Sequence, residues 1–379
     1  MIEPPNPKEL AETLRLAAAN KRRLRTGGRF TKHLMAGPND QAAEVTITTA
    51  KMNRILQYEP ADLTISVEAG LTWRELTRVL AENGQMLPLD PPFSENATVG
   101  GVLASNTCGP RRRQYGTARD LVIGMQFAML NGKLVQSGGM VVKNVAGLDM
   151  GKLLIGSFGT LAVITTANFK VIPAPPTERT FAIEFTSLAS AIEARDKLIG
   201  GALQAGAIDL MNPILAAENG FRGYTLLLWF GGTEALMSRC EREMVALGPS
   251  KTGTAGFWET IQNLTPHFLA KFPVGAVVRI SSLITEVPRV LEELQVPAIS
   301  RAGTGVTYAY FHRSGAAAAW LLSATTRGRK AVMEFASESA RVQYDTWPSA
   351  GTDFEMMKRI KTMFDPDRLL NRGRLYSHL

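Results

Sequence analysis

Apolar residues in the first 85 positions recur at spacings that read directly as secondary structure. Leu10, Leu14 and Ala17 fall on one face of a 3.6-residue repeat. Asn6 stands before it as a cap, Pro7 takes the first helical position and Glu9 follows three residues after the cap, which predicts a helix opening at Pro7. Lys21 to Thr26 then reads as a short strand running into the Gly27-Gly28 turn. Further strands are expected at Val45 to Thr49 and, after Pro60, at Leu63 to Ala69. A second helix is predicted from Leu71, with Thr72 and Glu75 in capping-box spacing. Trp73, Leu76, Val79 and Leu80 form its apolar face, and Gly84 ends it.

From Pro88 the periodicity fades into glycine-rich sequence, interrupted by strand patterns at Val122 to Leu130, Lys133 to Gln136 and Leu161 to Val171. Pro173, Pro175 and Pro176 break the chain, so a boundary is expected there, giving domains 1–175 and 176–379. The second domain opens with a strand at Thr180 to Phe185 and a helix at Leu188 to Ile199. Later strands are expected at Tyr224 to Phe230, Val274 to Ile280 and Gly305 to Phe311. Near the end, Thr352 with Glu355 caps a helix bearing Phe354, Met357, Ile360 and Phe364, which runs into FDPDRLLNRGR. The class is α+β.

Composition sets limits on this picture. The 379 residues are 45% hydrophobic and 20% charged, ordinary for globular domains of this size. No apolar run approaches the ~18 residues of a membrane span; Gly315 to Ala324 is the longest. The start, MIEPPNPKEL, lacks the basic and apolar regions of a signal peptide. A cytoplasmic protein is expected, any membrane association coming through partner subunits. Cys108 and Cys240 are too few for a disulfide framework or an iron–sulfur set. Forty-two basic residues oppose 34 acidic ones. Lys21, Arg22, Arg23, Arg25, Arg29 and Lys32 surround Gly27-Gly28, and Arg111, Arg112 and Arg113 follow Gly109. Cations beside glycine turns suit a compact diphosphate better than a nucleic acid.

Other chemistries lack their motifs. No G-x-G-x-x-G is present: Gly303-Thr304-Gly305 is followed by Tyr308 at the third position. GLDMGKL (147–153) has the wrong glycine spacing for a phosphate loop and Leu153 in place of Ser or Thr. His33, His267, His312 and His378 show no metal-ligand spacing, so no metal is expected. A G-x-S-x-G elbow is missing. Two glycine loops stand out instead: Arg25 to Gly28, and Ala97 to Asn106. Either could be a plain turn, but paired glycines permit close backbone approach, and successive N–H groups can cradle an anion.

The stretch 97–165 carries GPRR-x-x-YG-x-x-RD, GG-x-VVKNVAG-x-D-x-x-KL and GS-x-GTL; RAGTGV follows at 301–306 and FDPDRLLN-x-GR near the C-terminus. These pieces resemble the vanillyl-alcohol-oxidase/PCMH-type FAD-binding family, and within it the FAD-binding E subunits of glycolate oxidase (glycolate dehydrogenase). The resemblance implies an FAD-binding domain of two α+β subdomains, an α+β cap domain, and a tail returning to the flavin domain. It implies that Gly27, Gly28 and Arg29 meet the diphosphate, and that Thr98, Gly100, Gly101, Ser105 and Asn106 line diphosphate and flavin, with Pro88 and Asp90 near that loop's entrance. Gly109, Tyr115, Lys143, Asn144, Ala146, Gly147, Gly159, Thr160 and Ile164 would complete the pocket. The implied partners are a hydroxy-acid-oxidising flavoprotein subunit and an iron–sulfur subunit, in a complex that turns glycolate into glyoxylate.

The sequence also departs from the family's usual pattern. TGGRFTK lacks the third glycine of the first loop, and no histidine stands within it, so FAD is expected to be non-covalent. Leu148 stands where tyrosine is common, and Arg372 replaces a proline. RAGTGVTY keeps the turn of the HAGDGN-x-H motif of the related hydroxy-acid enzymes but none of its ligands. Arg301 and Arg374 are then the candidates to anchor a substrate carboxylate, and no base is identified. A stand-alone oxidase or dehydrogenase of another 2-hydroxy acid or a sugar lactone, and a non-catalytic FAD-loaded assembly subunit, are the alternatives.

Overall fold

Asn6 Oδ1 accepts the N–H of Glu9 at 3.0 Å and its Nδ2 donates to the Glu9 carboxylate at 2.8 Å, so the opening helix Pro7–Ala19 starts where its cap dictates. Leu10, Ala11, Leu14 and Ala17 are its buried stripe. The computed structural model describes residues 1–140, 148–248, 250–253, 255–347, 351–376 and 379. Two compact units result. The first comprises Met1–Cys108, Gly116–Ala174 and Ser349–Leu379; the second comprises Gly109–Tyr115 and Pro175–Pro348.

In the first unit, Leu24–Gly27 pairs in parallel with Val45–Thr48. A separate five-stranded antiparallel sheet runs in the order Ile55–Glu59, Thr64–Glu68, Val163–Lys170, Val122–Ala128, Leu134–Gly138. Thr72 caps the helix Trp73–Ala81, which begins two residues later than expected; Glu75 donates its N–H to the Thr72 hydroxyl, and its carboxylate goes to Arg78. The expected loop at 97–106 is instead a helix, Val99–Ser105. Its two glycines carry little helical propensity, but Val99, Val102 and Leu103 are buried against the sheet's core, and tertiary packing decides the outcome. Asp353, not Thr352, occupies the cap position of the final helix Phe354–Phe364.

The second unit is one eight-stranded antiparallel sheet. Its order is Ser250–Gly253, Thr177–Phe185, Tyr224–Gly232, Ala207–Met211, Ala298–Arg301, Val306–Phe311, Ala276–Ser281, Lys330–Ala336. Helices Leu188–Gly200, Glu234–Leu247 and Ser314–Thr326 pack on one face over Phe181, Leu210, Leu226 and Ile280.

The chain's last described stretch is tied to its beginning. Lys361 Nζ donates to Thr160 O at 2.7 Å, Asp365 Oδ2 at 2.7 Å and Leu370 O at 3.0 Å. Asp365 in turn accepts the N–H groups of Leu369 and Leu370. Leu24 N–H donates to Leu369 O and Asn371 N–H to Leu24 O, which adds a third segment beside the first strand.

Candidate functional site

The first strand ends in a turn that points a row of backbone donors at a cleft. Among the described residues, no protein acceptor takes the N–H of Arg29, Phe30, Thr31 or Lys32. Phe30 has φ 54°, which alternates the handedness of the backbone and gives the turn the concave form of an anion nest. Opposite it lies the Val99–Ser105 helix. Its glycines do not supply free donors, contrary to expectation: Gly100 N–H goes to Ala69 O and Gly101 N–H to the Thr98 hydroxyl. Glycines here let the loop, the helix and the strand behind it pack closely instead. A Cβ on Gly28 would sit 2.0 Å from Thr98 Oγ1, and one on Gly100 would sit 2.9 Å from the Ala69 side chain. Gly101 is helical with negative φ, so what argues against a larger side chain there is Thr98 Oγ1, 3.1 Å from the position of a Cβ, and the cleft beside it.

The tail holds the first strand and turn in place. Asn371 Oδ1 accepts Thr26 N–H at 2.8 Å, and its Nδ2 donates to Phe158 O at 3.1 Å and Gly159 O at 3.2 Å. Asn371 itself has φ 45°. Arg374 donates to Gly37 O at 3.0 Å and Asn39 Oδ1 at 2.9 Å, and its guanidinium lies 5.8 Å from the centre of the Phe158 ring. Asn371 carried no motif signal beyond the FDPDRLLN segment itself.

The charge of the cleft is one-sided. Arg25, Arg29, Lys32 and Arg374 line it and no carboxylate does. Arg25 lies 5.1 Å from the centre of the Phe30 ring. Lys32 is buried, its ammonium has no hydrogen-bond partner, and burial pushes its pKa down to about 7. A deep recess of the same cleft is lined by Gly27, Gly28, Gly100, Gly101, Gly159 and Ile164.

Of the residues expected at the site, Gly27, Gly28, Arg29, Thr98, Gly100, Gly101, Ser105, Gly159 and Ile164 therefore meet in one cleft. Pro88 and Asp90 are buried outside its lining. Asn106, with φ 50°, is the C-cap of the Val99–Ser105 helix, and Thr160 hydrogen-bonds Ser157 O while its own carbonyl receives Lys361. Gly109 and Tyr115 group with the second unit, where Tyr115 packs edge-on to Trp229 at 6.5 Å. Lys143, Asn144, Ala146 and Gly147 lie outside the described residues, as does His378. His33, which follows the first loop, lines the cleft, with its Nδ1 2.9 Å from Phe30 O.

Both candidate carboxylate anchors are already engaged. In the second unit, Arg301 ion-pairs with buried Asp209 and stacks 5.5 Å over Tyr308. Arg374 spends its donors on backbone carbonyls and Asn39.

An unpaired buried ammonium and a row of free N–H groups beside a glycine turn packed closely on the opposing helix fit a dinucleotide diphosphate. The fold is of the p-cresol methylhydroxylase type. Residues 1–138 match the family model "FAD binding domain", and the cofactor is FAD. The fold is shared with p-cresol methylhydroxylase, at a TM-score of 0.73, 14% identity, and coverage of 99% of this chain and 88% of that one. Glycolate oxidase subunit GlcE of Escherichia coli (strain K12) is 36% identical over 167 residues, 44% of this chain and 47% of its own length. Glycolate oxidase subunit GlcD of Bacillus subtilis (strain 168) is 28% identical over 212 residues, 56% of this chain and 45% of its own length. The chain thus spans about half the length of the curated relatives it matches. No helix among the described residues is long and apolar enough to cross a membrane.

Proposed function

We propose that this chain is the FAD-binding subunit of an oxidoreductase complex of the glycolate oxidase type. In that complex, glycolate is oxidised to glyoxylate alongside a hydroxy-acid-oxidising flavoprotein subunit, and electrons leave through an iron–sulfur subunit. The observation that carries the reading is the cleft walled by Arg25, Arg29, Lys32 and Arg374 with no opposing carboxylate. FAD, when bound, supplies the hydride and electron chemistry. This chain's own residues bind and orient it. The Arg29–Lys32 donors meet the phosphates, Gly28 lets the turn close on Thr98, Gly101 lines the cofactor's path, and Asn371 fixes the turn that presents these groups.

Substrate turnover is assigned elsewhere in the complex. Oxidising a hydroxyl needs a carboxylate anchor and a proton acceptor, and the two arginines that could anchor are committed to Asp209 and to backbone carbonyls. Absorbance of the purified chain, before and after acid precipitation, tests the cofactor. A yellow protein that releases intact FAD is expected; a colourless one sinks the reading, and flavin retained on the precipitate would point to attachment through His33. Anaerobic stopped-flow with glycolate tests the division of labour. The isolated chain should be reduced at least ~100-fold more slowly than the assembled complex, the contribution of a positioned general base. Rapid bleaching of the isolated chain would make it a stand-alone hydroxy-acid enzyme.

A further inference from the structure

Lys32 is buried in the cleft wall, and among the described residues nothing balances its charge. Its Nζ has no hydrogen-bond partner, although buried charges are ordinarily paired or neutralised. The charged and titratable groups that line the cleft with it are Arg25 and Arg29 from the first loop, His33 from its own turn, and Arg374 from the C-terminal segment. The opposing helix contributes only the uncharged Thr98, Gly101 and Ser105, and the tail adds Asn371. Asp40, the next carboxylate along the chain, pairs with Arg23. Arg374, whose guanidinium donates to the carbonyl of Lys32 itself, holds that turn shut behind the side chain. Among the described residues no hydrogen-bond or ion-pair partner neutralises the ammonium, which leaves that place to an anionic ligand.

We propose that Lys32 is the titrating counter-ion of the cofactor's phosphates, so that binding FAD takes up a proton. The inference rests on the FAD reading above. In the free protein burial holds Lys32 near pH 7. A bound diphosphate restores the charged form, since an opposite charge in contact raises a lysine's pKa. The sign follows. Below pH 7 the ammonium is charged in both states and no proton moves. Above pH 7 it is neutral in the free protein and charged in the complex, so binding consumes a proton and affinity falls as pH rises. The same burial makes the free protein pay for the charge at low pH, so removing it should stabilise the apoprotein while weakening the holoprotein. A merely structural lysine would do neither.

The test is calorimetric titration of the full-length apoprotein with FAD, and separately with riboflavin, which lacks phosphate. At pH 8.5, runs in two buffers of different ionisation enthalpy should show uptake of about one proton per FAD, and at pH 6 almost none. The FAD dissociation constant should rise about tenfold per pH unit above 7, while that of riboflavin stays flat. Lys32→Met should weaken FAD about 10–100-fold at pH 6.5, the loss of one charge-assisted contact, and leave riboflavin unchanged. Lys32→Arg should bind FAD with no proton uptake at either pH. Zero uptake by the wild type at pH 8.5 overturns the proposal even if the variants fail to fold. Wild-type FAD affinity in Lys32→Met overturns it as well. A wild-type chain that binds no FAD at any pH overturns the cleft's assignment instead, and this proposal with it.

Discussion

Lys361 and Lys32 are both buried in the flavin unit, and the protein treats them in opposite ways. Lys361 delivers its three protons to two carbonyls and the Asp365 carboxylate. Burial lowers its pKa, and Asp365 works against that drop. Lys32 sits among arginines with an unmatched ammonium. One lysine stabilises the fold through its three partners; the other has none among the described residues and is left for a ligand to satisfy. A satisfied buried cation therefore marks architecture here, and an unsatisfied one marks the site. The second unit makes the same point through Arg301, which resembles a substrate anchor in sequence but is neutralised by Asp209 in the fold.

The comparison can be broken most severely at Lys361. Lys361→Met leaves Asp365 buried without its cation, and a loss of about 3–5 kcal/mol of stability is expected in urea unfolding. A loss below 1 kcal/mol would mean the contact is ornamental. Asn371→Ala deprives Thr26 N–H and the carbonyls of Thr26, Phe158 and Gly159 of their partner at once. About 2 kcal/mol should be lost in the same assay, with a weaker FAD complex because the first turn is freed.

Lys32→Met sharpens the contrast by reversing sign. The apoprotein at pH 6 should gain about 1–2 kcal/mol, since an unpaired buried charge is replaced by an apolar chain. Wild-type apoprotein should itself become more stable as pH rises from 7 towards 10, because the unfolded chain there binds the proton that the folded one has lost. Differential scanning calorimetry across that range checks both statements. The smallest effect on stability belongs to Gly101→Val, under about 1 kcal/mol, because the position is already helical. Far-UV CD should be near normal while the protein is isolated mostly without FAD; full occupancy would exclude Gly101 from the cofactor's path.

What sequence could foresee divides along the same line. The helices Pro7–Ala19 and Trp73–Ala81 were legible because cap, stripe and stop all agree within a dozen residues. The two glycine loops were legible as a pair through the family resemblance, and they do converge on one cleft. The Val99–Ser105 helix was not, since its glycines spoke for a loop and the packing that outvotes them is remote in sequence. Strands Ile55–Glu59, Ala207–Met211 and Lys330–Ala336 escaped notice, the middle one because buried Asp209 interrupts its apolar run. Lys32 could be read as one of six clustered cations, but not as the buried one. Arg301 and Arg374 looked available because their partners, Asp209 and the Gly37–Asn39 turn, lie 92 and more than 330 residues away.

The bond between Thr26 and Asn371 spans 345 residues, and this orders events during synthesis. The first turn leaves the ribosome early, yet the side chain that fixes it is made only at the far end of the chain. At ~5–20 residues per second, the interval is roughly 17–70 s. Throughout it the nascent flavin unit has its glycines and cations but lacks its third strand segment. Cofactor capture is thereby postponed until residue 371 has emerged, so a chain stalled in the second unit should remain colourless.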